Sequence, residues 1–116
     1  MKYETVGRCL VLHLEEELDH HYAAKIVGET NLIMEKYPVK HILFDFERVN
    51  FMDSSGIGMM MGRYMKVSYI GGSVAVTGVS NRVERIMRLS GLYKLIKKYE
   101  SVNNALEEMQ KVKENG

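Results

Sequence analysis

Two serines and an aspartate stand together in Phe51-Met52-Asp53-Ser54-Ser55-Gly56-Ile57-Gly58. Where a strand ends and a helix begins, such hydroxyls are exposed; the simplest role for either is to cap the helix. A nucleophilic role needs Gly-x-Ser-x-Gly followed by an acid and a histidine. Met52 or Asp53 occupies the leading glycine position and no histidine follows Ser54, so a small serine hydrolase is the weaker reading. Gly56, Gly58 and Gly62 are spaced Gly-x-Gly-x-x-x-Gly with no Gly-Lys-Ser/Thr after them, a poor nucleotide loop. In a helix each costs about 0.5–1 kcal/mol relative to alanine, which close approach by another surface could offset. His13, His20, His21, His41 and Cys9 contain no His-x-x-x-His pair, and the adjacent His20 and His21 diverge, so no metal site is expected.

The elements that hold these residues alternate in period. Leu10, Leu12 and Leu14 repeat every second residue from Cys9, which predicts a strand. Ala23, Ile26, Thr30, Ile33 and Tyr37 form a helical stripe, with Asp19 as N-cap and Pro38 as terminator. The segment from Val39 to Phe46 reads as a central strand, with Ile42, Phe44 and Phe46 on one face and Val39 and Leu43 on the other. The Asp-Ser-Ser-Gly junction opens a Met-rich helix reaching about Tyr69, stopped by Gly71-Gly72. Ser73 to Thr77 is a strand, and Ser80 caps a helix from Asn81 to Ser90 with Val83, Ile86, Met87 and Ser90 inward and Gly91 as stop. A short strand is expected at Leu95-Ile96. Ser101 then caps a last helix with Val102, Ala105, Leu106, Met109 and Val112 inward, before a tail from Lys113 to Gly116 that frays. With an antiparallel edge near Tyr3 to Val6, the pattern predicts an α/β fold: a mostly parallel sheet of four to five strands and about four helices.

The 116 residues suit a single domain. A hydrophobic content of 46% argues against disorder, and a net charge of +1 against nucleic acid as a general partner. A lone cysteine, no signal-peptide pattern and no apolar run near the roughly 20 residues of a spanning helix favour the cytoplasm and no membrane partner. Arg82, Arg85, Arg88, Lys94, Lys97 and Lys98 read as a solvated face interrupted by Glu84. Met59, Met60 and Met61 cannot all point inward on one helix, and Met59, following the Gly-Ile-Gly turn, is the candidate for an adaptable docking contact.

Glu17-Leu18-Asp19-His20-His21, the Asp53-Ser54-Ser55-Gly56-Ile57-Gly58 element, Gly62-Arg63-Tyr64, Gly71-Gly72 and Ser90-Gly91-Leu92 span most of the chain, and in them it resembles the STAS domains, within them the anti-sigma factor antagonists of sporulation. The resemblance implies a STAS-like single domain of 1–116 and a partner-switching protein without enzymatic activity or cofactor of its own. It implies that the unphosphorylated form binds an anti-sigma factor that is also a serine kinase holding nucleotide, frees a sporulation sigma factor, and is reset by a serine phosphatase. The phosphoacceptor it implies is Ser54. The matching partner-facing positions are Asp19 and Asp53, Ser54, Ser55, Gly56, Ile57 and Gly58; His21, beside Asp19, could contact the partner or serve local capping. A STAS module of another stress-response or transporter system is the alternative. Glu16 stands where the family usually has glycine, which raises the question of the loop's shape. A phosphoryl group would add about −1.5 to −2 charge next to Asp53 and repel a partner that still holds nucleotide phosphates.

Overall fold

The structure, a computed structural model, describes residues 1–115 and side chains through Lys111. Five strands lie side by side in chain order: β1 (Lys2–Val6), β2 (Cys9–His13), β3 (His41–Asp45), β4 (Ser73–Thr77) and β5 (Lys97–Lys98). Only β1 runs antiparallel, paired with β2; the others are parallel. Between them run α1 (His20–Lys36), α2 (Ser54–Ser68) and α3 (Asn81–Ser90), and α4 (Val102–Asn115) closes the chain. The side chains of 112–116 lie outside the described residues, and with them the inward position expected for Val112 and the fraying expected of the tail.

Steps between parallel neighbours in one direction, each right-handed, must put α1, α2 and α3 on the same face of the sheet. The large core agrees: Leu10, Leu12, Ile42, Phe44, Val74 and Val76 of the sheet pack with Ile26, Met60, Val83 and Met87 of those helices. Cys9, Val11, Leu43 and Ala75 on the other face pack with Ala105 and Met109 of α4. Burial pushes the Cys9 thiol up to about 12. The same topology lines up the N-termini of α1, α2 and α3 beyond the C-terminal ends of β2, β3 and β4, with α2 in the middle.

Several details depart from the sequence expectations. A 3-10 turn at Leu92–Lys94 takes the amides of Leu95 and Ile96 onto the Leu92 carbonyl, so the last strand forms at Lys97–Lys98, not at Leu95-Ile96. Tyr37 leaves the stripe of α1: it is an extended C-cap ahead of Pro38 and is exposed. Ser90 faces solvent, its hydroxyl donating to the Met87 carbonyl, because α3 closes there on a left-handed Gly91. Val39 joins the large core instead of the Leu43 face, since Lys40 and His41 both donate to the Arg8 carbonyl and β3 begins only at His41. No helix among the described residues is long and apolar enough to cross a membrane.

Candidate functional site

Backbone hydrogen bonds join the loops that lead into α1 and α2. The Leu18 amide donates to the Phe51 carbonyl at 2.9 Å and the Asp53 amide to the Leu18 carbonyl at 3.2 Å, a one-residue parallel bridge between Leu18 and Met52. Both side chains are buried beneath it. The Asn50 amide donates to Glu17 Oε1 at 3.0 Å, tying the acidic loop to the second segment. Each segment then enters its helix through an aspartate: Asp19 Oδ1 accepts from the Tyr22 amide at 2.9 Å and Asp53 Oδ1 from the Ser55 amide at 2.8 Å. Gly56 lets α2 start this close, because a Cβ there would stand 2.6 Å from Met52 Cγ and 2.8 Å from Leu18 Cγ. The close approach expected at the glycines is thus internal at Gly56. At Gly58 and Gly62 the space is open.

Neither serine caps α2; Asp53 does, and this frees both hydroxyls. Ser54, on the first turn, is exposed and its hydroxyl has no hydrogen-bond partner among the described residues. Ser55 is half-buried and turned toward α1, with Oγ 3.4 Å from His20 Nδ1. His20 contacts no carboxylate among the described residues, so this pair lacks the orienting acid of a catalytic triad. Asp19, His21 and Gly58 are exposed around the serines, and Asp53 and Ile57 are half-buried. His21 takes no part in the cap of α1. Met59, expected to be a docking side chain, is 5% exposed in the core, whereas Met61 and Met65 stand at 36% and 66%. The helical repeat that faces Met60 inward carries Met59 with it and leaves Met61 on the outer face. Glu16 is accommodated without strain: no described residue other than glycine has a positive φ, so this loop needs no glycine there.

The sequence profile of the STAS domain matches residues 1–105. The chain belongs to the STAS family. It is 35% identical over 103 residues to the anti-sigma F factor antagonist of Paenibacillus polymyxa, covering 89% of this chain and 88% of that protein. A second relative, the anti-sigma F factor antagonist of Lysinibacillus sphaericus, is 30% identical over 83 residues, 72% of this chain and 71% of that one. The unphosphorylated form of the anti-sigma factor antagonist SpoIIAA superimposes with a TM-score of 0.83 at 29% identity, covering 94% of this chain and 95% of that chain. The phosphorylated form of the Bacillus cell fate determinant SpoIIAA does so with a TM-score of 0.72 at 29% identity, over 92% and 96%. The mostly parallel five-stranded sheet is therefore the STAS fold of these neighbours.

Three further clusters in this STAS domain were not legible as groups in the sequence. Arg63 is buried between α1 and α2, where Nη1 donates to Thr30 Oγ1 at 3.0 Å and to Asn31 Oδ1 at 2.7 Å. No carboxylate among the described residues answers its charge, and burial holds its pKa below the usual value. A polar Thr30 within an otherwise apolar stripe was the available signal. His13 bridges strands, Nδ1 to Asp45 at 2.8 Å and Nε2 to Glu4 at 2.7 Å. Burial opposes its charge, but the hydrogen bonds to Glu4 and Asp45 and their negative charges outweigh that and raise its pKa. On the basic side, Glu84 accepts from Tyr93, Arg88 and Lys98; the Tyr93 hydroxyl, then the two cations, outweigh desolvation and hold its carboxyl at about 2. Arg82 instead lies over the Phe51 ring, 5.4 Å from its centroid.

Proposed function

We propose that this STAS domain is an anti-sigma factor antagonist controlled by phosphorylation of Ser54. The observation that carries the reading is the Ser54 hydroxyl itself: exposed, without an internal partner, and spared capping by Asp53. The names of the relatives and of the structural neighbours support the antagonist role. In this reading the unphosphorylated protein binds, through the edge formed by Asp19, His21, Asp53, Ser54, Ser55, Ile57 and Gly58, an anti-sigma factor that is also a serine kinase with bound nucleotide. Gly56 and Met59 shape that edge from beneath. Binding frees a sporulation sigma factor.

The kinase then brings the γ-phosphorus of ATP to Ser54 Oγ. The new P–O bond forms as the bond to the β-phosphate oxygen breaks; the hydroxyl proton leaves and ADP is released. The serine now carries about −1.5 to −2 charge beside Asp53 and opposite the nucleotide phosphates, and the complex separates. A serine phosphatase hydrolyses the ester and resets the cycle. No catalytic group is required of this chain.

Incubation with the candidate kinase and ATP, followed by peptide mass spectrometry, should show one phosphoryl group on Ser54. Its appearance on Ser55, or no incorporation, overturns the assignment. In calorimetric titration with nucleotide present, Ser54→Asp should remain folded and lose tight binding; wild-type affinity in that variant refutes the charge mechanism.

A further inference from the structure

We propose that Arg82 is the internal receptor for the phosphoryl group on Ser54, closing an arginine–phosphate contact between the first turns of α3 and α2 in the modified protein. The proposal rests on the Ser54 assignment above and adds what holds the phosphorylated state within this chain.

The topology brings the two helix ends side by side. The N-termini of α2 and α3 are neighbours in the row beyond the C-terminal ends of β3 and β4, and both helices pack on the same face of the sheet. Ser80 caps α3 and Asn81 begins it, so Arg82 stands on its first turn, level with Ser54 on the first turn of α2. The direction of the side chain is also fixed. Its guanidinium lies over Phe51, two residues before the Asp53 cap, and therefore leans toward α2.

Charge accounting separates Arg82 from its neighbours. Arg88 and Lys98 are both taken by Glu84, and Lys97 lies over Tyr99. Arg82 is exposed and forms no ion pair among the described residues, held only by an aromatic face. A guanidinium held by an aromatic ring and by no carboxylate keeps its N–H donors available for phosphate oxygens, which arginine can bind bidentately. Arg85, one turn further along α3, is also exposed and forms no ion pair among the described residues but is set back from the helix end.

The test uses the full chain with phosphoserine installed at position 54 by genetic encoding, so that it does not depend on any kinase. The second ionisation of the phosphate, near 6 in an unpaired phosphoserine, is followed by phosphorus NMR. The wild-type chain should titrate lower than Arg82→Ala by on the order of half a unit, with Arg82→Lys between them. Arg85→Ala removes the same unit of charge without the contact and should stay close to wild type. Identical titrations of wild type and Arg82→Ala, or equal shifts in Arg82→Ala and Arg85→Ala, overturn the contact. Thermal denaturation of the unmodified variants checks that both are folded, and the loss in Arg82→Ala should be larger in the phosphorylated chain than in the unmodified one. Failure of a kinase to modify Ser54 would sink the switch and leave this result standing; a flat titration would do the reverse.

Discussion

The two ends of the α1–α2 seam are built by opposite means. At the helix N-termini the backbone does the joining, through the Leu18–Met52 bridge, and the side chains above it are left free. Lower down, the joining is done by side chains: Arg63 is sunk between the helices and donates from Nη1 to Thr30 and Asn31, while Lys66 shares the same Asn31 oxygen. The exposed edge around Ser54 is thus kept apart from the interactions that fix the helices. A new negative group at Ser54 meets neither the buried guanidinium nor the core.

The contrast is broken most severely at Gly56. Gly56→Ala forces a methyl group into Leu18 and Met52, both buried, and should cost about 3 kcal/mol in chemical denaturation; a loss below a few tenths would mean that the bridge gives way easily. At the lower end, Arg63→Ala should cost about 2 kcal/mol through the lost hydrogen bonds to Thr30 and Asn31 and the lost packing of the arginine stem. Arg63→Met should recover most of this, because the buried charge is itself expensive and Asn31 keeps Lys66. If methionine is as harmful as alanine, the charge and not the stem holds the seam. Gly58→Ala should act in the opposite direction from Gly56→Ala: its Cβ meets nothing, so α2 gains about 0.5–1 kcal/mol of helix propensity. Reduced phosphorylation of this more stable variant would show that the kinase needs the bare backbone at 58.

The smallest effect concerns the sheet ends from which both loops depart. His13 is charged more readily when folded than when unfolded, so its contribution is fully present below the unfolded value near 6.5 and fades as pH rises through the higher folded one. Burial, which lowers it, and Glu4 and Asp45, which raise it, set that value; Glu15, Glu47, Lys2 and Arg48 line the same cleft. The stability advantage of the parent over His13→Gln should shrink as pH is raised from about 6 to about 8; an advantage that grows with pH contradicts the bridge.

The strands and helices were legible because their signals are local: Leu10-Leu12-Leu14 alternation, the Ala23-Ile26-Thr30-Ile33 stripe, Asp19 and Ser80 at helix starts. The position of Asp-Ser-Ser-Gly at the start of α2 was legible too, since an aspartate followed by small polar residues marks a helix N-terminus. What failed were properties that depend on partners remote in sequence. That Asp53 and not a serine caps α2 follows from how Leu18 orients the preceding residue. Met59 is buried by α1, a packing choice that three consecutive methionines leave open. The burial of Arg63 could not be read from Gly62-Arg63-Tyr64 because its partners lie about one helix earlier, and Ile96 is buried like a strand residue although the 3-10 turn holds it outside the sheet.

Cys9 turns the opposite face of the sheet into a clock. Its sulfur is covered by α4 and is almost wholly thiol at neutral pH, so an alkylating reagent can react only in the moments when that helix has lifted away. The labelling rate counts those excursions directly, and running it with and without phosphate on Ser54 would reveal whether a charge added on one side of the sheet loosens the cover on the other.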